Sequence, residues 1–156
     1  DPNILFGEGS VVHWAAKNSD SRFLRAALQA GADPNLTAGR LNETPIFRCV
    51  DLIQSNLECV DLLLEAGANI DVQNRGEQFG EASGGNTPLL AAATIGRFDH
   101  VFALLERGAD PSIKNVNNLD LVGRLHSMRA DIQPKSEAAA WLEKVFDLVS
   151  QPKEGR

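Results

Sequence analysis

Cysteine is scarce in this chain, since Cys49 and Cys59 are the only two among 156 residues. That density excludes a small secreted scaffold in which disulfides replace a core. No apolar run approaches the ~18 residues that a membrane-spanning helix needs. Basic residues are also few, 15 against 21 acidic ones, which gives a net charge of −6. Because nucleic-acid binders usually carry a basic patch, this balance argues against a nucleic-acid partner. It is compatible with simple solubility or with a basic protein partner.

Catalytic and metal-binding motifs are missing as well. His13, His100 and His126 fall in separate parts of the chain, and no H-E-x-x-H, G-x-S-x-G or phosphate-loop spacing is present. Two cysteines and three histidines at these spacings form no recognisable ligand set. We therefore expect no enzymatic activity, no bound metal and no cofactor.

The most informative stretch of the chain runs from Thr87 to Pro111. Threonine followed by Pro88 is a helix-start signal, because threonine can cap a helix and the fixed φ of proline suits the first turn. Apolar residues then continue on both sides of Gly96 and end at Gly108, where a left-handed C-cap is expected. The pattern predicts two short helices followed by a turn, a unit too small to bury its own apolar face.

Copies of this unit recur along the chain, with the turn and the helix start in alternation. The turn occurs at Gly31–Pro34, Gly67–Ile70 and Gly108–Pro111, and the helix start at Thr44–Phe47 and Thr87–Leu90. Together they resemble the ankyrin repeat, whose period is about 33 residues and whose helix start reads T-P-L-H-x-A. The resemblance covers nearly the whole chain, and it implies a surface that binds another macromolecule.

The resemblance implies an all-α ankyrin-repeat solenoid of about four helix–turn–helix repeats, with β-turn or hairpin connections and terminal repeats that act as caps. The repeats are predicted at about 1–33, 34–69, 70–110 and 111–150, followed by a flexible tail at 151–156.

The first repeat fits the helix-start frame with Ser10 in place of threonine. His13 falls on the family's histidine position, where it is expected to hold the helix start. Its inner helix is predicted from about Val11 to Lys17, and its outer helix from about Ser21 to Ala30.

Two parts of the chain depart from a regular period. The second repeat has two extra residues near Ile53-Gln54, and Ser55 with Glu58 reads as a capping box for its second helix. Eight residues are added within 74–86, where four glycines predict a mobile, extended loop. Insertions in repeat arrays often lie on the binding face.

The last repeat keeps the frame without the motif, and we interpret it as a C-terminal cap. Asp120 stands at the threonine position, and Leu121–Met128 is the predicted inner helix. Ser136 is the predicted N-cap of a final helix that ends near Val149. The apolar stripe of that helix comprises Ala138, Trp141, Leu142, Val145 and Val149.

In ankyrin repeats the partner-binding face is lined by hairpin tips and by exposed positions of the inner helices. The corresponding inner-helix positions are Trp14, Lys17 and Asn18, then Arg48, Asp51 and Leu52, then Ala91, Thr94 and Ile95. The corresponding tip positions are Arg40, Leu41 and Asn42, then Arg75, Glu77, Gln78 and Phe79, then Val116, Asn117 and Leu119.

Trp14 and Arg48 are the pair that we expect to matter most, because both residue types are enriched at interface hot spots. The alternative is that Trp14 plugs the end of the core and Arg48 stacks on it as a cation–π contact. Phe79, an aromatic residue on a glycine-rich loop, is also expected to touch a partner. Cys49 and Cys59 either form a bridge in an oxidising compartment or remain buried thiols, and we favour the thiols.

The implied function is a non-catalytic module that binds another protein through its groove and the 74–86 loop, and that is monomeric when free. A stoichiometric inhibitor, a neutralising immunity-like protein or a regulatory protein would fit a small array with two caps. The alternatives are a targeting or scaffolding domain of a larger protein, and a structural spacer. Because the first residue is Asp1 rather than methionine, the compartment stays open between the cytoplasm and, if a leader was removed, the periplasm or the exterior.

Overall fold

The structure is a computed structural model that describes residues 1–50, 57–75, 84–129 and 132–150. In these ranges the chain forms eight α-helices, and its only β pairings are isolated bridges. The helices are α1 Val11–Ala16, α2 Ser21–Gln29, α3 Pro45–Val50, α4 Leu57–Glu65, α5 Pro88–Thr94, α6 Phe98–Glu106, α7 Leu121–Met128 and α8 Glu137–Ser150. The all-α prediction is confirmed.

The helices form two layers, built from four successive pairs that we call repeats one to four. In the inner layer α1 packs against α3, α3 against α5, and α5 against α7. In the outer layer α2 packs against α4, and α6 against α8. Arg107 on α6 joins the outer layer to Asp61 on α4, with Nε 2.6 Å from Oδ1. Each repeat therefore contacts its neighbours in sequence, as expected of a solenoid.

The core is built from positions that recur in the first three repeats. Leu24, Val60 and Val101 occupy the same position of the outer helices, and all three are fully buried. Small residues, Cys49 and Ala92 among them, are buried on the inner helices where neighbouring helices meet. A single short pair could not enclose these side chains, so stacking is what removes them from water.

Each outer helix of the first three repeats ends at a glycine with positive φ. The φ angles of Gly31, Gly67 and Gly108 are 88°, 91° and 91°. An added Cβ would meet nothing within 4 Å at any of the three, so the backbone conformation rather than space favours glycine there. The next N–H returns to the helix, as from Ala32 to the carbonyl of Ala27 at 3.1 Å. This is the predicted left-handed cap.

The C-terminal repeat has the caps and helices that were predicted. Asp120 accepts a hydrogen bond from the N–H of Gly123 at 2.9 Å, and Ser136 Oγ accepts one from the N–H of Ala139 at 3.1 Å. In α8, Leu142 and Val145 are buried against the preceding repeat. The predicted capping residue Ser55, the extra pair at 53–54 and the tail at 151–156 lie outside the described residues.

Candidate functional site

The exposed positions of the inner layer form rows that cross neighbouring helices. Trp14, Arg48 and Ala91 hold the same place, four residues after Ser10, Thr44 and Thr87 respectively. Trp14 is 44% exposed, while Arg48 and Ala91 are half-buried. The next rows along the helices contain Lys17 and Thr94, then Asn18 and Ile95, and these four residues are exposed.

Trp14 is held by a residue that sequence reasoning did not select. Its ring stacks against Phe6, with centroids 6.4 Å apart and planes 18° apart. A tight turn orients Phe6, whose N–H donates to the carbonyl of Gly9 at 2.8 Å. The apolar run Ile4-Leu5-Phe6, shortly before the first helix start, was the available signal. Because nearly half of the Trp14 side chain is exposed, it does not plug the core.

Arg48 is oriented by the first hairpin, in which Ala38 pairs with Glu43. Its Nη1 lies 3.6 Å from Oε2 of Glu43. A Cβ added to Gly39 would lie 3.1 Å from Oε2 of Glu8 and 3.2 Å from Nη2 of Arg48, so both side chains lie against this glycine. Among the described residues the cation–π contacts are elsewhere, with Arg129 over Phe146 and Lys144 over Trp141. The alternative in which Arg48 stacks on Trp14 is therefore wrong, because the guanidinium lies beside the carboxylate of Glu43 in the adjacent hairpin.

The hairpin tips are joined to each other through their backbones. The N–H of Arg75 donates to the carbonyl of Leu41 at 2.8 Å, and the N–H of Val116 donates to that of Gly84 at 3.0 Å. Arg40 and Arg75 are exposed beside the first junction, and Val116 is 66% exposed at the second. Asn117 is exposed, whereas Leu41, Asn42 and Leu119 are half-buried.

The base of the 74–86 connection is fixed by asparagines. Asn74 and Asn86 are both buried, and the N–H of Asn86 donates to Oδ1 of Asn74 at 2.9 Å. Asn74 also donates to Oε1 of Glu43 at 3.3 Å, and Asn115 donates to Oδ1 of Asn86 at 3.0 Å. These amides connect three successive hairpins. Of the predicted site residues, Asp51, Leu52, Glu77, Gln78 and Phe79 lie outside the described residues and remain predictions.

His13 has the structural role that was predicted for it. The N–H of Ser10 donates to Nδ1 of His13 at 3.2 Å, which leaves Nε2 to donate to the carbonyl of Glu43 at 3.2 Å. Burial lowers the pKa of His13, and the nearby Arg48 lowers it further. The neutral ring thus connects the start of α1 to the first hairpin.

A concave region lies on the outer layer, lined by the α5–α6 junction and α8. It contains Arg97, Asp99 and Trp141. Burial by itself would raise the pKa of Asp99, but hydrogen bonds from Arg97 and His100 outweigh it and hold that pKa well below the usual range. We interpret the contact between Asp99 and Arg97 as a structural ion pair. Within the described ranges no group of three His, Cys, Asp or Glu side chains is arranged to hold a metal, and no helix is long and apolar enough to cross a membrane.

Comparison with known proteins gives one match at the level of families. The model for ankyrin repeats matches residues 12–115, as three copies. None of the curated proteins compared with this chain matches it. The matched segment begins on α1 and ends after the turn that follows α6, so it includes the rows and the first two tips. The third tip, with Val116, Asn117 and Leu119, follows directly after it.

Proposed function

Because this chain belongs to the ankyrin repeat family, whose members are generally protein–protein interaction modules, we propose that it binds a partner protein through the exposed rows of the inner layer and the hairpin tips. The observation that supports this proposal most directly concerns Trp14. Its large aromatic side chain is nearly half exposed and is nevertheless held in place by Phe6. An aromatic anchor that is ordered before binding loses little conformational entropy on association.

The composition of this surface supports the proposal. Ile95 is 49% exposed and Val116 is 66% exposed, so apolar side chains occur in the rows and at a tip. Arg40 and Arg75 are exposed at the neighbouring tips. Aromatic and apolar anchors with arginines nearby are typical of protein interfaces. The loop residues Glu77, Gln78 and Phe79 belong to the same proposed surface.

We propose further that binding blocks the partner in a one-to-one complex, as a stoichiometric inhibitor or an immunity-like neutralising protein would. A targeting or scaffolding role within a larger protein is the second candidate. One observation favours it, because Val11 and Phe23 expose apolar surface at the end of the array formed by α1 and α2.

The test is capture of a partner from the lysate of the source organism. We expect wild type to capture a protein that a Trp14→Ala, Ile95→Ala, Val116→Ala triple variant does not capture. The matched control is a Phe23→Ala, Val122→Ala double variant, which removes exposed apolar side chains outside the proposed surface. Circular dichroism and thermal melting verify that all variants are folded. Equal capture by the triple variant and wild type would contradict this placement of the surface.

The activity of the captured protein, measured with and without this chain, then distinguishes the two candidate roles. An inhibitor should abolish the partner's activity at one equivalent, with a titration by calorimetry that also ends at one to one. A scaffold should bind and leave that activity unchanged.

A further inference from the structure

Three positions of the repeat are exposed in repeat one and buried in the two repeats that follow. In repeat one these positions are occupied by Val11 on α1 and by Phe23 and Ala26 on α2. Val11 is 38% exposed, Phe23 is 58% exposed, and Ala26 is exposed as well. The equivalents are Pro45 and Pro88 for Val11, Cys59 and His100 for Phe23, and Leu62 and Ala103 for Ala26, and all six are buried. We call Val11, Phe23 and Ala26 the end face.

The equivalent positions are buried because they meet the preceding repeat. In repeat two, the thiol of Cys59 lies 3.8 Å from the carbonyl oxygen of Asn18 in repeat one. The adjacent Glu58 accepts hydrogen bonds from Ser21 at 2.8 Å and from Arg25 at 3.2 Å, both on α2. This side of an outer helix is therefore a repeat–repeat interface, and in repeat one the same side carries an exposed phenylalanine.

Residues 1–3 have the conformation of the turn that closes a repeat. Oδ1 of Asp1 accepts a hydrogen bond from the N–H of Asn3 at 2.8 Å. We call the turns that follow α2, α4 and α6 the closing turns. In each of them a side-chain oxygen accepts the equivalent bond from the N–H two residues later. The pairs are Asp33 and Asn35 at 2.8 Å, Asn69 and Asp71 at 3.0 Å, and Asp110 and Ser112 at 2.9 Å.

Asn3 also makes two hydrogen bonds to the next closing turn, as Asn35 does in the closing turn of repeat one. Its Nδ2 donates to the carbonyl of Gly31 at 3.3 Å, and its Oδ1 accepts from the N–H of Asp33 at 2.7 Å. Asn35 makes the corresponding two bonds to Gly67 at 2.9 Å and to Asn69 at 2.8 Å. Asp1-Pro2-Asn3 is thus a fourth closing turn, docked in register with the other three.

We propose that a further helix–turn–helix repeat packs on the end face and continues, through a Gly-Ala pair, into the Asp1-Pro2-Asn3 turn. The two observations agree on this occupant. The residues of the end face occupy the positions that form the repeat–repeat interface in repeats two and three. Asp1-Pro2-Asn3 is the turn through which such a repeat would connect to the chain. A second copy of the protein would cover the apolar side chains but would leave the turn without its helix.

The experiment compares the 156-residue chain with an extended chain that carries a copy of residues 36–68 directly before Asp1. Gly67-Ala68 of the copy then leads into Asp1 and restores the complete turn. Repeat two is the suitable donor because the interface between repeats two and three already accommodates a ring, that of His100, at the position of Phe23.

We expect the extended chain to unfold in a single transition at a higher temperature than the chain itself. Phe23→Asp should lower that melting temperature by about 4 °C or more in the extended chain, since it would bury a charge. In the 156-residue chain the same substitution should leave the melting temperature nearly unchanged. Val116→Asp, at an exposed tip, is the control and should be neutral in both chains.

Three results would overturn the proposal. A second, separate unfolding transition would show that the added repeat does not dock. Equal effects of Phe23→Asp in the two chains would show that the end face stays in water. Sedimentation of the 156-residue chain as a dimer that Phe23→Asp dissociates would assign the end face to a second copy.

Discussion

Asn35 connects the first closing turn to the second by donating from Nδ2 to the carbonyl oxygen of Gly67 at 2.9 Å. Its Oδ1 accepts from the N–H of Asn69 at 2.8 Å, so a single amide satisfies a donor and an acceptor of the next repeat. In repeat two the same position is Asp71, whose carboxylate accepts from the N–H of Asp110 at 2.9 Å. A carboxylate has no proton to donate, so the second bond of this pair is missing there.

Asp71→Asn should therefore stabilise the protein. The new Nδ2 can donate to the carbonyl of Gly108, and one such bond is worth about 0.5–1 kcal/mol at a half-buried site. Urea unfolding should show a higher midpoint with an unchanged slope. The reverse change, Asn35→Asp, is the control and should lower the midpoint by a similar amount. A lower midpoint for Asp71→Asn would mean that the turns do not form a common ladder.

Thr44 and Thr87 hold the same motif position but differ in hydrogen bonding. Oγ1 of Thr87 accepts from the N–H of Leu90 at 3.2 Å, whereas Oγ1 of Thr44 is buried without a hydrogen-bond partner. We expect Thr87→Val to lower the free energy of unfolding by about 1 kcal/mol, because a helix cap is lost. Thr44→Val should be neutral or stabilising, since it removes an unsatisfied hydroxyl. Equal losses for the two variants, measured by urea unfolding, would contradict this difference.

Stability should fall as the pH drops below about 6.5, the pKa of an unfolded histidine. Burial lowers the pKa of both His13 and His100 in the folded chain. The unfolded chain therefore binds more protons in this range, and stability present at pH 7.5 is lost toward pH 5.5. Melting temperatures at the two pH values measure the effect. In His13→Gln, which cannot titrate, the difference between them should be smaller, and an unchanged difference would exclude His13 as a contributor.

The repeat frame was predictable because local chemistry determines it. Serine at 10, threonine at 87 and aspartate at 120 differ in type, yet each can cap a helix, and a helix follows each of them. Gly31 and Gly108 end the outer helices because a left-handed cap needs glycine. These signals depend on a few neighbouring residues, so they can be recognised without knowledge of the fold.

The orientation of site side chains was less predictable, because it depends on contacts between separate segments. One of the two interpretations placed Arg48 on Trp14, but its long side chain reaches Glu43 in the preceding hairpin. Phe6 was not predicted as a site residue, because its stacking on Trp14 depends on the turn that ends at Gly9. A sequence pattern identifies which rows are exposed, whereas the packing of the turns decides which side chains are held in place.

The two cysteines provide the last prediction, which concerns the state of their thiols. Cys49 is 0% exposed and Cys59 is 1% exposed, and both are free. The neighbouring thiol of Cys59, together with burial, raises the pKa of Cys49, while the neighbouring thiol of Cys49 lowers the pKa of Cys59. Because the thiolate is the reactive form, we expect slow labelling by a thiol reagent in the folded protein, with Cys59 reacting first.

Single Cys49→Ala and Cys59→Ala variants assign the two labelling rates. Protein purified without reductant should release two reactive thiols in urea, because unfolding exposes both side chains. If urea releases none, the pair is bridged, and the expectation of free thiols is wrong. Rapid labelling of either thiol without urea would show that the α3–α4 interface opens readily, since reaction at a buried side chain requires local opening.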